Sequence, residues 1–302
     1  MTEKIPENTL RKLQAVVRRI EDAASTDCTV DNSFSELVAV EKLARDAGMS
    51  RRNLSEWFKK LTGMSVAKYA NRRRAEYAAR ILRCFPSASN ADISRVVGFA
   101  YPNALYDFMR RHGVKTLDSL RRRPEVDHGL VRQGWRIDSI PDCILFFKLS
   151  EGDYTECGSE QFERDNWDKI ERHVTERFGD MARLVGYVGI AIDRFLDGDA
   201  EMGVFASGVL YHDFTPAGML KDTAGSIGWR KIPARRYAVF THRGSYEMLP
   251  VFYERILSVL HFSASELNVD IASPFMELYL NSPTDTVSDL LETELWVPLN
   301  QG

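Results

Sequence analysis

A repeat with a period of 50 residues is the feature that most constrains the fold of this chain. Residues 43–63 align with residues 93–113 without a gap, and each copy has a glycine, Gly48 or Gly98, between two short stretches of helical periodicity. A tight turn between two helices needs a residue that tolerates positive φ, as glycine does. The repeat therefore predicts two helix-turn-helix units. Ser50 is expected to cap the helix after the first turn, and Pro102 to begin the helix after the second.

A long helix is predicted between the two copies, over residues 65–83. Residues recur there at helical spacing with no glycine or proline, and Pro86 ends the pattern. A helix of this length, with a rise of about 1.5 Å per residue, spans about 28 Å. That span is close to the distance of about 34 Å between successive major-groove openings on one face of B-DNA. A single chain with this helix can therefore hold two recognition helices one turn of DNA apart.

The helix after each turn combines an apolar stripe with a polar face. The predicted buried stripes are Leu54, Trp57 and Phe58 in the first helix and Leu105, Phe108 and Met109 in the second. Arginine and asparagine side chains read base edges, and lysine suits phosphates. The predicted DNA-binding residues on the polar faces are Arg51, Arg52, Asn53, Ser55, Glu56, Lys59, Lys60, Asn103, Tyr106, Arg110 and Arg111. Because Asp107 shares the second polar face and repels phosphate, we expect weaker contacts there.

Charge changes sign at the point where the helical patterns end. Residues 1–123 carry a net charge of +10, whereas residues 124–302 carry −13. The basic part suits a polyanionic partner, and DNA would repel the acidic part. The connector between them contains proline and glycine and lacks an apolar period. We therefore expect a DNA-binding domain over residues 1–123, a linker over 124–135 and a second domain over 136–302.

The basic part resembles the AraC/XylS family of transcriptional regulators over about residues 5–122. The resemblance rests on the pattern Leu-Ala-x5-Ser-x3-Leu-x3-Phe-Lys-x3-Gly, a long helix, and then Ile-x4-Gly-Phe. This pattern is carried by Leu43, Ala44, Ser50, Leu54, Phe58, Lys59, Gly63, Ile93, Gly98 and Phe99. The family usually has a proline after each recognition helix, where this chain has Val66 and Thr116. The resemblance implies recognition helices that enter successive major grooves of promoter DNA.

A second repeat, with a period of 92 residues, organises the acidic part of the chain. An Ile-Pro pair at 140–141 recurs at 232–233, and a Gly-x-Tyr tripeptide at 152–154 recurs at 244–246. Each copy predicts a strand, a helix and two further strands. The predicted helices cover about 161–178 and 248–260, and the strands after them cover 184–192, 202–211, 275–280 and 294–299. The predicted fold class is therefore multidomain: an all-α double helix-turn-helix domain followed by an α+β domain of duplicated βαββ units around a shared groove.

The predicted strand over residues 275–280 carries an isolated carboxylate. Strand side chains alternate between the two faces of a sheet. The face that we expect to pack under helices is apolar: Met276, Leu278 and Leu280. The other face places Glu277 between the rings of Phe275 and Tyr279. A carboxylate in such a setting is costly unless a partner satisfies it.

Two kinds of partner for Glu277 stay open from the residues alone. The first is a bound organic cation or hydrogen-bond donor, on which the neighbouring rings would also stack. The second is an arginine of the protein itself, for which Arg235 and Arg236 are the candidates.

The acidic part resembles the GyrI-like effector-binding domain over about residues 136–300. The similar segments are Tyr237-x-Val-Phe-x-His-x-Gly-x-Tyr246, Glu277-x-Tyr279-Leu-Asn281 and the stretch from Glu294 to Leu299. The resemblance implies that Glu277 lies at the centre of a ligand groove with aromatic walls. The candidate ligand-binding residues are Glu277, Trp167, Tyr187, Tyr246, Tyr253, Phe275 and Tyr279. An AraC-type pair ahead of this domain resembles the Rob-like arrangement.

These patterns predict a sequence-specific DNA-binding regulator whose second domain binds a small hydrophobic, aromatic or cationic effector. Its expected partners are double-stranded promoter DNA and the effector, to which family analogy adds RNA polymerase. We expect a non-enzyme, because the sequence contains no nucleophile elbow, metal motif or phosphate loop. Two alternatives stay open: a ligand-free protein-interaction module, and a hydrolase of electrophilic small molecules that uses Glu277 with Tyr279 or Tyr253 as acid and base.

Neither a cofactor nor a metal is expected, because the six histidines and four cysteines match no metal-binding spacing. The N-terminus is polar, and no apolar run approaches the roughly 18 residues of a membrane span. We therefore expect a cytoplasmic protein without membrane contact. In that compartment the four cysteines, Cys28, Cys84, Cys143 and Cys157, would be free thiols.

Overall fold

The computed structural model describes residues 5–25, 34–122, 135–152, 159–191, 203–214 and 227–300. The chain divides into two compact units, one built mainly from residues 1–122 and the other mainly from the rest. The described first unit is all-α and the second combines helices with a sheet, which confirms the predicted fold class. Most of the predicted linker, with Cys28 and Cys157, lies outside the described residues. Among the described helices, none is both long and apolar enough to cross a membrane.

The first unit consists of two helices of 19 residues and several shorter ones. Its elements are α1 (Glu7–Ser25), α2 (Phe34–Leu37), α3 (Val40–Asp46), α4 (Arg51–Thr62), α5 (Val66–Cys84), α6 (Asn90–Val96), α7 (Pro102–Arg111) and α8 (Leu117–Arg121). The long helix α5 contacts α1, α4, α6 and α8, so it forms the centre of the unit. Helix α1 contacts α5 and buries four apolar residues at helical spacing: Leu10, Leu13, Val16 and Ile20.

Two helix-turn-helix units are present, α3–α4 and α6–α7, as the repeat predicts. Gly48 and Gly98 form the turns with φ angles of 59° and 80°, a region in which side chains with a Cβ are strained. The Ser50 hydroxyl accepts a hydrogen bond of 3.1 Å from the backbone N–H of Asn53 and caps α4. Pro102 is the first residue of α7, where its missing N–H costs little.

Hydroxyl caps begin two helices at the points where the family usually has proline. The Ser65 hydroxyl accepts a hydrogen bond of 3.2 Å from the backbone N–H of Lys68 and starts α5 at Val66. Thr116 is itself the cap of α8, and its hydroxyl accepts a bond of 3.0 Å from the N–H of Ser119. Both helices therefore begin without a proline, because a side-chain oxygen satisfies a free N–H at each start.

The second unit is an antiparallel sheet with two long helices. Its elements are β1 (Arg136–Ile140), β2 (Cys143–Gly152), α9 (Glu160–Phe178), β3 (Leu184–Ala191), β4 (Gly203–His212), β5 (Ile227–Ile232), β6 (Arg235–Arg243), α10 (Leu249–Ser263), β7 (Met276–Tyr279) and β8 (Glu292–Pro298). The order of the described strands is β1-β6-β8-β7-β3-β4-β2-β5. Helices α9 and α10 match the two helices predicted from the repeat.

The strand order shows the internal duplication directly. One βαββ copy is β2-α9-β3-β4 and the other is β6-α10-β7-β8, and they meet where β3 pairs with β7. Tyr187 and Tyr279, which are one repeat period apart in sequence, are direct partners in this pair. The strand that precedes each copy pairs with the first strand of the other copy: β1 pairs with β6, and β5 pairs with β2. The two copies therefore form one continuous sheet with equivalent positions facing each other at its centre.

The helices cover the face of β7 opposite to the one that the sequence predicts. Tyr253 of α10 donates a hydrogen bond to Glu277, and Trp167 of α9 contacts the ring of Tyr279. On the other face Leu280, just beyond the strand, is 47% exposed. The prediction that Met276, Leu278 and Leu280 pack under helices is wrong. The covered face is the one on which Glu277 and Tyr279 contact α9 and α10. The more apolar face of the strand is not the one that the helices cover.

Candidate functional sites

The outward face of α4 is basic and exposed. Every predicted contact residue on this helix is exposed except Lys60, which is half-buried. Arg51 forms an ion pair of 2.8 Å with Glu41 of α3, and Arg52 forms one of 2.8 Å with Glu56 on the next turn. These pairs lie at the surface, where the energy of an ion pair is small. The two guanidinium groups are therefore available to exchange a carboxylate for a phosphate or a base.

Trp57 of α4 departs from the predicted buried stripe. Leu54 and Phe58 are fully buried, but Trp57 is only half-buried. The Lys60 ammonium lies 4.8 Å from the centre of the Trp57 ring, at the distance of a cation–π contact. The prediction that Trp57 is core is wrong, because the ring lies under a lysine at the edge of the basic face.

The outward face of α7 differs from that of α4. The predicted residues Asn103, Tyr106, Arg110 and Arg111 are all exposed, together with Asp107. Tyr101, the residue before the helix, is 73% exposed and was not among the predicted contacts. An aromatic residue immediately before the helix-starting proline was the signal that could have identified it. The face of α7 thus combines two arginines with aromatic groups and the carboxylate of Asp107, whereas α4 carries four cations.

Arg74 of the long helix α5 holds the second turn from inside. Its guanidinium donates to the carbonyl oxygens of Val97, at 2.7 Å, and Gly98, at 2.5 Å. It also stacks on the Phe99 ring at 3.6 Å and on the Phe34 ring of α2 at 4.5 Å. Arg74 is 5% exposed, so these contacts are made away from water. The side chain links the second turn to the region before the first, and it positions α7 without facing the surface.

In the second unit, a row of paired residues crosses the centre of the sheet on one face. Glu277 on β7 lies opposite Gly189 on β3, Gly189 opposite Ser207 on β4, and Ser207 opposite Lys148 on β2. Residues directly opposite each other in an antiparallel pair share a face. Helices α9 and α10 cover this row, so it forms the floor of a buried, polar and aromatic site.

Glu277 is the carboxylate at the centre of this site. It is 4% exposed and accepts two hydrogen bonds, from the Tyr253 hydroxyl at 2.8 Å and from the Tyr279 hydroxyl at 2.6 Å. Burial raises the pKa of Tyr279 well above its ordinary value, so this residue remains a neutral donor. Two tyrosine hydroxyls therefore stabilise the buried carboxylate.

The arginine alternative for Glu277 is wrong. Arg235 donates instead to Asp270, at 2.8 Å, and to Ser273, at 2.9 Å. Leu295 of β8 pairs with Glu277 on one side and with Phe240 of β6 on the other. Arg235 is five residues from Phe240 along β6. Arg236, the next residue on β6, is exposed. Neither side chain is close enough along the sheet to reach the carboxylate.

The predicted aromatic residues meet around Glu277. The Trp167 ring lies 5.1 Å from that of Tyr187 and 4.9 Å from that of Tyr279, and the Tyr246 ring lies 4.9 Å from that of Tyr279. The remaining candidate, Phe275, is buried immediately before β7. Sequence reasoning thus identified a set of side chains that the fold brings together, although they come from α9, β3, β7, α10 and the turn before α10.

Gly189 permits the close packing at this centre. A Cβ atom at this position would lie 2.5 Å from the Tyr279 hydroxyl, 2.6 Å from the Phe205 ring and 3.1 Å from Glu277. Any side chain at this position would therefore displace the residues that hold the carboxylate.

A second buried carboxyl group, Glu163 of α9, was missed by the sequence analysis. It is completely buried and accepts a hydrogen bond of 3.0 Å from the Ser207 hydroxyl. Asn166 donates to Ser207 at 3.0 Å, and Lys148 donates to Asn166 at 3.1 Å. Burial raises the pKa of Glu163 well above its ordinary value, and the charge of Glu277 raises it further, against the effect of Ser207. The signal that could have identified Glu163 is its position four residues before Trp167, on the same helix face.

Two protein-family models match the chain. A helix-turn-helix domain of the AraC type matches residues 43–123, and the GyrI-like small molecule binding domain matches residues 149–300. A helix-turn-helix pair joined to an effector-binding type of domain defines a DNA-binding transcriptional regulator. The second match spans half of the chain, so the chain belongs to the GyrI-like family, with a helix-turn-helix domain ahead of the GyrI-like domain.

Solved structures overlap the chain at low identity. The EcmrR–DNA complex is 14% identical, with 87% of this chain and 99% of that chain covered and a TM-score of 0.43. The EcmrR C-terminal domain is 17% identical, covers 56% of this chain and 98% of its own length, and has a TM-score of 0.42. A hydrolase from Listeria innocua is 11% identical, with coverages of 55% and 91% and a TM-score of 0.41. No curated protein matches the chain.

In the part of the chain that the structure describes, no three His, Cys, Asp or Glu side chains are grouped to hold a metal.

Proposed function

We propose that this protein binds promoter DNA in a sequence-specific manner through α4 and α7. The observation that carries the proposal is the pair of exposed helices, each placed after a positive-φ glycine turn on either side of α5. The proposed contacts are the eleven exposed or half-buried residues predicted from the repeat, joined by Tyr101. Residues 1–123 form the proposed DNA-binding domain, 124–135 the linker and 136–302 the effector domain.

We further propose that a small aromatic or cationic effector binds at Glu277 and changes promoter occupancy or contacts with RNA polymerase, in the cytoplasm. The support is a buried carboxylate held by two hydroxyls and enclosed by aromatic rings. A cationic guest would neutralise this charge, and the rings would contribute cation–π attraction.

Selection of genomic DNA fragments by the purified full chain tests the first proposal. At near-physiological salt we expect a motif with two elements about one helical turn apart. Fragments bound without a motif, with affinity that vanishes as salt rises, would show a merely electrostatic attraction and contradict it.

Binding of an aromatic monocation, 4-benzyl-1-methylpyridinium, tests the second proposal by calorimetry. We expect Glu277→Gln to weaken binding at least tenfold, because the variant keeps the shape but loses the charge. Glu247→Gln removes an exposed carboxylate from the same unit and is the matched control. Equal binding by the wild type and Glu277→Gln would remove Glu277 from the site. No binding by any of them would favour the ligand-free interaction module.

The hydrolase alternative has one observation in its favour. Glu277 and Glu163 are two carboxyl groups in one buried site, and burial raises the pKa of Glu163 well above its ordinary value. Such pairs can divide the roles of acid and base. Incubating electrophilic esters and epoxides with the protein and following product formation distinguishes the two functions. Turnover that Glu277→Gln abolishes would support the enzyme and contradict our proposal of a non-enzymatic regulator.

A further inference from the structure

Two hydrogen-bond donors lie on the face of α9 that covers the proposed effector site. Glu163 and Trp167 are four residues apart and therefore share one helix face. Glu163 is completely buried and Trp167 is 4% exposed. Glu163 Oε2 and Trp167 Nε1 have no hydrogen-bond partner among the described residues. Buried polar atoms are usually paired, so two neighbouring exceptions in one site point to a missing partner.

The chain of hydrogen bonds that ends at Glu163 has a single direction. Lys148 only donates, so it faces the carbonyl oxygen of the Asn166 side chain. The Asn166 amide nitrogen then faces Ser207 and donates to its hydroxyl oxygen. The one hydroxyl hydrogen of Ser207 is therefore directed to Glu163 Oε1. Because Oε1 accepts this bond, a proton on the carboxyl group must be on Oε2.

The surroundings of Glu163 favour the protonated form. Lys148 on β2 is separated from it by Asn166 and Ser207, and the other facing groups are Glu277 and Tyr279 on β7. One of these is an acid and the other a neutral phenol. Among the residues that the structure describes, no cation pairs with Glu163, and its complete burial then penalises the carboxylate. Glu163 Oε2 is thus an O–H donor, like the indole N–H of Trp167.

We propose that Glu163 and Trp167 form a donor subsite that binds a hydrogen-bond acceptor of the effector. This inference rests on the proposed function, in which Glu277 binds the cationic part of the same molecule. The effector class is then an aromatic cation that carries a carbonyl oxygen or a ring nitrogen on the side facing α9. An aromatic cation without an acceptor would leave both donors unpaired and bind more weakly.

A matched pair of probes tests the subsite in the full-length wild-type protein. The ketone 4-benzoyl-1-methylpyridinium and the hydrocarbon 4-benzyl-1-methylpyridinium differ only in a carbonyl group at the bridge. We expect the wild type to bind the ketone about tenfold more tightly, because one or two buried hydrogen bonds are formed. Calorimetric titration gives both dissociation constants under the same conditions.

Three variants assign the preference to the two residues. Glu163→Gln keeps an N–H donor at the Oε2 position and should retain the preference for the ketone. Glu163→Leu removes the donor at similar volume and should bind the two probes with nearly equal affinity. Trp167→Phe keeps an aromatic ring without the N–H and should lose part of the preference. Unchanged binding of the hydrocarbon probe by the two Glu163 variants shows that the site is still folded. For Trp167→Phe, whose ring also lines the proposed cation site, the ratio of the two dissociation constants is the quantity compared.

The outcomes distinguish failure of the donor subsite from failure of the cation site at Glu277. Equal affinity of the wild type for the two probes would overturn the donor subsite and leave the cation site at Glu277 standing. A ketone preference that survives in Glu163→Leu would also overturn it. Failure of both probes to bind would contradict the proposed function, and the inference that rests on it would fall as well.

Discussion

Both units of this protein are duplications, but the copies are joined in different ways. In the first unit the two helix-turn-helix copies are separated by α5, and each presents its own helix, α4 or α7, to solvent. In the second unit the copies merge through the pairing of β3 with β7 into one sheet. Separated copies form two surfaces, and the residues of each surface can change without affecting the other. Merged copies form one site at the boundary between them.

The difference explains where each unit places its polar groups. The proposed DNA contacts of the first unit are nearly all exposed, and their ion pairs are made at the surface. The second unit buries Glu277, Glu163 and their partners under two helices. We therefore expect substitutions on α4 and α7 to change binding with little effect on stability. Substitutions at the centre of the sheet should change both.

Arg74 is one of several charged side chains that α5 buries in the first unit, and its loss should have the largest effect. Arg74→Ala leaves the buried carbonyl of Val97 and the half-buried carbonyl of Gly98 without their donor, at about 1–3 kcal/mol for each group. We expect the free energy of unfolding to fall by about 2–6 kcal/mol in chemical denaturation. Arg95→Ala, which breaks an exposed pair with Asp92, should change it by less than about 0.5 kcal/mol. Similar losses of unfolding free energy in the two variants would mean that Arg74 does not stabilise the two helix-turn-helix copies.

Substitution of Gly63 in the first unit and of Gly189 in the second should each lower stability, but for different reasons. Gly189→Ala brings a Cβ into the Tyr279 hydroxyl and the Phe205 ring and should cost about 1–3 kcal/mol of stability. Gly63→Ala meets no atom within 4 Å, but its φ of 77° should cost about 1–2 kcal/mol.

Asparagine at the same positions separates the two causes. Asn tolerates the left-handed conformation, so Gly63→Asn should recover most of the loss, whereas Gly189→Asn should be worse than Gly189→Ala. Recovery at both positions, measured by the shift in the denaturation midpoint, would show that packing at the sheet centre is looser than the distances indicate.

The two recognition helices should contribute unequally to DNA binding. Arg51→Ala should weaken binding to the selected motif by about tenfold, as the loss of a base or phosphate contact does. Arg110→Ala on α7 should have a smaller effect, because Asp107 already repels phosphate on that face. Arg243→Ala in the acidic unit controls for the change in net charge. Equal losses from α4 and α7, measured by fluorescence anisotropy, would show that the copies have not diverged in function.

The cap at the start of α5 should give the smallest effect. Ser65→Ala removes the acceptor for the Lys68 N–H and should lower stability by about 1 kcal/mol. Ser65→Asp should restore it, and Ser55→Ala on the exposed face of α4 should have almost no effect. A loss in Ser65→Ala that Ser65→Asp fails to restore would mean that packing of the hydroxyl matters here and capping does not.

Much of the first unit could be predicted from local patterns. Gly48, Gly98, Ser50 and Pro102 act through backbone conformation and hydrogen bonds to near neighbours, and the structure confirms all four. Trp57 was misassigned because an apolar stripe does not reveal how wide the buried face is. Arg74 was missed because its partners lie more than 20 residues away, in a turn that no local pattern connects to α5.

In the second unit, the sequence by itself determined the duplicated βαββ units, the two long helices and the set of aromatic residues around Glu277. The duplicated units and the two helices follow from the internal repeat and from periodicity, whereas the aromatic set follows from the resemblance to the GyrI-like domain. Only the tertiary structure decided which face of β7 the helices cover, that two tyrosines donate to Glu277 where Arg235 and Arg236 do not reach it, and that Glu163 lies in the same site. These depend on strand register and on cross-strand partners, and a one-residue change of register would turn every side chain to the opposite face.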